Sequence, residues 1–240
     1  MGRIFAYEIK RLILSKLFIA LLIINGVFAW YVLSVEIIMG VAFTAPFSAW
    51  SFAAYMAAVM PFAVSTALLL MGFYFSKNEL LAKQLTSATP INNLKYTLVR
   101  YGVIVIGFII ICLVAITLSV IFYSSLFGFS DYSEFLLPGA ITILPGFVFF
   151  VGFGSLAGRL RPGVLYVLIP AVILLGFGVT PIFLDVFGGG YYGSAPLELP
   201  VGIDGEPEFM LSTMFIVSRI VYFAAGATMW IFGLRVKKNS

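Results

Sequence analysis

Histidine is absent from this chain. That removes bis-histidine haem ligation, histidine-based general acid–base catalysis and most zinc sites together. The single cysteine, Cys112, rules out an intrachain disulfide and a cysteine-ligated iron–sulfur cluster. Inside an apolar run, it reads as packing. Charged residues make up only 10% of the chain, too few to clothe a soluble domain. No P-loop signature occurs, so ATP is not expected to bind this chain by that route. The interiors of the apolar runs also lack carboxylates, which weakens proton- or cation-driven transport.

What the chain has instead is length of apolar sequence, with 62% hydrophobic residues. A hydrocarbon core of about 30 Å needs roughly 20 helical residues to cross it. Six stretches meet that length: 17–39, 50–75, 101–126, 135–157, 163–183 and 212–234. Runs such as Val103 to Ile121 do not alternate apolar with polar, which excludes a membrane β-barrel. The expected fold is an all-α membrane protein of six transmembrane helices, a single domain over 1–240. The first run exceeds a signal-peptide core and Ala45-Pro46 is a poor cleavage junction, so this span is expected to remain in the mature protein.

The charges are sorted. Thirteen of the fourteen Lys and Arg residues flank alternate ends of the spans: Arg3, Lys10, Arg11 and Lys16, then Lys77, Lys83, Lys95 and Arg100, then Arg159 and Arg161, and finally Arg235, Lys237 and Lys238. Eight of the ten acids, among them Glu36, Asp131, Glu134, Asp185 and Glu198, lie at the opposite ends. This is the positive-inside pattern, and it places both termini in the cytoplasm. It also accounts for the net charge of +4 without nucleic acid as a partner; the partner it implies is the lipid bilayer.

Residues 1–14 form a short amphipathic helix of their own. Phe5, Ala6, Ile9, Leu12 and Ile13 gather on one side, and Arg3, Glu8, Lys10 and Arg11 spread over the other. The expectation is an interfacial helix with its cations at headgroup level; a plain extension of the first span is the alternative. Pro61, Pro138, Pro145, Pro170 and Pro181 mark kinks, read either as moving joints or as shaping of the bundle. Gly154 and Gly158 form a small-xxx-small pair, with Gly152 nearby, suited to close helix packing. The outer segment 184–211 combines Gly188-Gly189-Gly190-Tyr191-Tyr192 with Pro196, Pro200 and Pro207, so a continuous helix is not expected there.

Arg219 is the one cation away from the basic ends, about two turns into the last span. It reads either as a contact for an anion or headgroup in a pathway, or as a residue that snorkels outward or pairs with an acid such as Glu36. The most informative basic stretch is 76–100. Glu79 to Leu85 reads as a helical extension with Glu79 and Lys83 one turn apart, Pro90 sets a turn, and Asn92 or Asn93 caps a new helix. A helix–turn–helix of this kind has a partly apolar tip able to dock into a soluble partner; an ordinary basic hairpin is the alternative.

The order of these features resembles the permease subunits of ABC-2-type ATP-binding-cassette transporters. Those subunits have an amphipathic N-terminal helix, six spans, and a loop after the second span reading Glu, leucines, Thr/Ser-Pro, an apolar residue, Ser/Asn and Lys. The matching positions are Glu79, Leu80, Leu81, Leu85, Thr89, Pro90, Ile91, Asn92 and Lys95. Asn78 and Leu80 flank Glu79 where that family often has a basic residue. The resemblance implies that 76–100 is a coupling helix seated on an ABC ATPase subunit, and that 184–211 is a re-entrant region. It further implies a non-catalytic export subunit in a prokaryotic cytoplasmic membrane. Such a subunit is paired with a second permease copy or a homologous permease, and ATP and magnesium are held on the partner ATPase rather than here. The alternatives are a membrane-embedded lipid-modifying transferase and a non-transporting scaffold or channel subunit.

Overall fold

The computed structural model describes residues 2–76, 79, 93–178, 181–202 and 205–235. Among them the regular structure is helical, with no strand. Helix α1 (Gly2–Ile13) is followed by α2 (Lys16–Tyr31), which runs on through a π-helical turn, Val32–Ile37. Then come α3 (Ala49–Tyr74), α4 (Asn93–Phe127), α5 (Leu136–Leu160), α6 (Gly163–Phe177), α7 (Gly189–Glu198) and α8 (Thr213–Arg235). Five helical stretches are long and apolar enough to cross a membrane: Lys16–Ile37, Ala49–Tyr74, Leu94–Phe127, Ser133–Leu160 and Thr213–Leu234. The chain is an all-α, multi-pass membrane protein by that measure.

Hydroxyl caps set several of the starts. Ser15 accepts a hydrogen bond from the Phe18 amide at 3.1 Å and opens α2, and Ser48 does the same for the Ser51 amide at the head of α3. Each satisfies a backbone donor that the first helical turn leaves without a partner. Helix α3 is apolar on all sides and occupies the centre: 78% of its span is buried, against 22% for α8 and 28% for α2. A helix without a polar face belongs inside a bundle.

Successive spans run in opposite directions, and α5 lies parallel to both α3 and α8, so the sorted charges fall at two ends of one bundle. At the acidic end Glu206 accepts from the Ala45 amide at 2.9 Å and Trp50 Nε1 donates to the Pro207 carbonyl at 3.1 Å. At the basic end Arg159 Nη1 donates to the Leu234 carbonyl at 3.4 Å.

Helices α5 and α8 make the closest approach. A methyl group on Gly152 would collide with the Gly226 backbone, and one on Gly226 with the Val148 carbonyl. The small pair singled out in the sequence points elsewhere: Gly154 faces Leu68 and Leu165, and Gly158 faces Phe75 and Leu165. Backbone-to-backbone contact thus falls to glycines off the expected motif.

The expected span over 163–183 is the element that differs. Helix α6 has 15 residues, about 22 Å of rise, and falls short of the 30 Å hydrocarbon core. Helix α3 serves as a ruler for its depth. Tyr166 lies against Gly72 near the basic end, and Gly176 lies against Pro61, halfway along α3. After Gly178 the described chain resumes at Pro181 in irregular turns, with Phe187 packed on Gly146 of α5. Helix α7 then fills the other half, from Gly189 beside Ala57 to Tyr191 and Tyr192 beside Trp50. What reads in the sequence as one span and an outer loop is two short helices with a break at mid-depth. Helix α7 forms in spite of Pro196, which falls in its last turns.

Candidate functional site

The basic end holds a cluster of four buried or half-buried charges drawn from three separate parts of the chain. Glu8 comes from α1, Glu79 from the start of the 76–100 loop, and Arg100 from α4; all three are buried. Arg11 of α1 is half-buried and completes the set. Glu79 accepts from both Arg11 and Arg100. Glu8 lies 3.6 Å from Arg11 and 3.7 Å from Arg100, and takes a hydrogen bond from Tyr96 Oη at 3.3 Å. Aromatic faces close the cluster: Arg11 lies over Phe73 at 5.0 Å, and Arg100 over Tyr74 and Tyr96 at 4.5 and 4.8 Å. Two carboxylates balance two guanidiniums, and the planar forks with aromatic backing are what makes arginine suited to such a place.

Glu8 and Arg11 show which face of α1 packs on the bundle. Its apolar side does not turn to lipid: Phe5 lies over Gly102, and Ile13 lies against Gly107, both on α4. Glu8 goes in with them. Phe5, Glu8, Ile9 and Leu12 share the i, i+3, i+4, i+7 spacing of one helix face, a signal that was present in the sequence and outweighed by the charge.

Of the proposed coupling residues, Glu79 is placed at the root of the loop with Arg11 and Arg100 as partners. Lys95 stands exposed in the first turn of α4. Leu80, Leu81, Leu85, Thr89, Pro90, Ile91 and Asn92, and Lys83 as the expected partner of Glu79, lie outside the described residues. Arg11 and Arg100 were not singled out in the sequence as partners of Glu79. Only tertiary packing brings residues 68 and 21 positions away to it.

A second constellation occupies the break between α6 and α7. Arg219 of α8 is buried and donates to the carbonyls of Asp185 and Val186. Its guanidinium lies 4.2 Å from the centre of the Phe215 ring, which stacks in turn on Tyr191 at 4.0 Å. The Asp185 carboxylate, also buried, accepts from the amides of Gly188 at 2.8 Å and Tyr191 at 2.9 Å. These are the free donors at the start of α7, where the helix dipole favours negative charge. Gly188 supplies the left-handed turn, at φ 90°, that aims those amides at Asp185. Tyr192 Oη meets Thr142 Oγ1 of α5 at 2.9 Å and ties α7 to the bundle.

Asp185 therefore does not belong to an outer loop, as its place among the acids suggested, but to mid-depth. Arg219 and Glu36 are not brought together: Glu36 is exposed in the π-helical turn after α2. Non-helical backbone at this depth is tolerated where protein covers its polar groups, and Arg219 does that for two carbonyls. The other polar positions of the spans mostly bond to their own helices. Ser34 donates to Trp30, Thr66 to Phe62, Thr117 to Leu113 and Ser119 to Ile116, while Asn25 reaches across to Thr66 at 2.9 Å. Cys112 is buried. Among the described residues no group of three or more Cys, Asp or Glu is arranged to hold a metal ion. No protein-family model matches the chain, and neither does any curated protein or any solved structure.

Proposed function

We propose that this chain is the membrane-spanning subunit of an ATP-driven exporter of the ABC-2 type, coupled through residues 76–100 to a separate ATPase and working with a second permease copy. The observation that carries the reading is the position of Glu79. It sits where the loop leaves α3 and is gripped by one arginine from α1 and one from α4. A force applied to the loop from outside would reach two helices at once. A loop without such a root would yield alone.

The second constellation is consistent with work arriving from elsewhere. Unwound carbonyls at a helix break are where a coupling cation binds in many ion-driven transporters. Here the chain's own Arg219 fills that place, so the break is satisfied without a mobile ion. In this proposal six crossings, the broken α6–α7 pair counted as one, leave both termini in the cytoplasm. The chain itself turns over no substrate.

Affinity purification of the tagged chain from its native membrane tests this. A P-loop ATPase is expected to accompany it, with ATP hydrolysis lowered severalfold by Pro90→Ala or Glu79→Gln while the subunit stays in the complex. The exporter reading fails if no such ATPase is recovered, or if its hydrolysis ignores both substitutions in folded protein.

A further inference from the structure

With its apolar side and Glu8 turned toward α4, helix α1 presents a different face outward. Arg3, Tyr7, Lys10 and Leu14 follow one another along that face at helical spacing, and Lys16 stands exposed just beyond the bend at Ser15. Tyr7 is 64% and Leu14 65% exposed, and Leu17 beside them is 54% exposed. The three cations take part in none of the ion pairs among the described residues. Nor is there acid to neutralise them. The basic ends of the chain carry thirteen cations and two acids, Glu8 and Glu79, and both acids are taken up by Arg11 and Arg100 in the buried cluster.

We propose that this face is a seat for anionic phospholipid headgroups. Arg3, Lys10 and Lys16 would lie against phosphates, with Tyr7, Leu14 and Leu17 set into the headgroup–acyl boundary. The charge is of one sign and has no ion-pair partner among the described residues. The interleaved Tyr and Leu side chains suit an interface that is polar on one side and apolar on the other. An acidic soluble protein would match the cations and leave the leucines uncovered. A polybasic face of this size draws anionic lipid with an affinity that grows with each cation near the surface. The proposal is independent of the exporter reading, because its readout involves no ATPase.

The test uses the full chain in nanodiscs of phosphatidylcholine, with and without added phosphatidylglycerol, and reads the thermal unfolding midpoint and the lipid retained on the purified protein. Phosphatidylglycerol is expected to raise the midpoint by about 4 °C and to be enriched on the protein. Both effects should vanish in the Arg3→Gln, Lys10→Gln, Lys16→Gln triple variant, whose midpoint in phosphatidylcholine alone should match the unsubstituted chain. The Arg161→Gln, Lys237→Gln, Lys238→Gln variant removes equal charge elsewhere and should keep both. An unchanged midpoint with no enrichment overturns the proposal. So does equal loss in the two triple variants, which would mean net charge alone. Loss of a bound protein from the first variant with the lipid response intact also overturns it, by assigning the face to a protein partner.

Discussion

Among the described residues, charge is buried in two places and neutralised in two ways. At the basic end, acids and arginines from three distant segments compensate one another, side chain to side chain, with Arg11 still 26% exposed. At the α6–α7 break, Arg219 and Asp185 are both buried and do not bond each other through their charged ends. The guanidinium is held by carbonyls and the carboxylate by amides, so the main chain of 185–191 stands between them. The first arrangement joins segments distant in the chain and sits partly within reach of water. The second holds one irregular turn at a fixed depth and is closed to water. Linkage between elements fits the former, and support of a broken helix fits the latter.

The largest effect that separates them is expected at Arg219. Arg219→Ala leaves the carbonyls of Asp185 and Val186 buried without donors, at about 4 kcal/mol for the two. Free guanidinium at low concentration should restore part of that stability by entering the vacated space, whereas methylammonium, lacking the planar fork, should restore less. Chemical unfolding in lipid measures both. If Arg219→Ala unfolds at the unsubstituted midpoint, the break does not depend on this residue.

A smaller effect is expected at the basic end. Glu79→Gln leaves two arginines facing one carboxylate and should cost about 3 kcal/mol. Combined with Arg11→Gln it should cost less than the sum, because the second change removes a charge that the first left unbalanced. Added salt should shrink the penalty of Arg11→Gln, as Arg11 is partly solvated, and leave that of Arg219→Ala nearly unchanged. Equal salt response at both sites would erase the distinction between them.

The smallest effect is expected from a carboxylate that belongs to neither region. Asp131, exposed in the turn before α5, accepts from the Ser133 hydroxyl at 2.7 Å and the Ser133 amide at 3.1 Å. These bonds favour the charged form and hold its carboxyl below the ordinary value of 3.8. The stability it contributes is present above that value and fades as pH falls through the lower, folded-state one. Asp131→Asn should flatten only this acid limb of a stability–pH curve. A change near neutral pH would show that the substitution disturbs something besides Asp131.

Most of the helices were legible because hydropathy is a local property. A residue inside a long apolar run avoids water whichever neighbour it meets, and the ends of α2, α3, α5 and α8 follow from that with shifts of a few residues. The α6–α7 break was not legible as such, although Gly178, Pro181 and Gly188-Gly189-Gly190 punctuate the region. These residues permit an interruption, but its depth is set by Gly176 meeting Pro61 and Phe187 meeting Gly146. Glu79 was singled out from its motif position, yet its expected neighbour was Lys83, one turn along the same helix. Local spacing proposes partners within an element, and it is blind to arginines that arrive from α1 and α4.

The sequence by itself determined that this is a helical membrane protein and which ends of its helices are basic. Both follow from the solvation of each residue taken alone: apolar side chains leave water, and cations remain at one interface. Only the tertiary structure decided that Glu8 faces inward, that Asp185 lies at mid-depth and that Arg219 answers to carbonyls. A buried charge is stable only where specific donors or acceptors surround it. Those surroundings come from helices that are distant in the chain and meet only when the bundle packs.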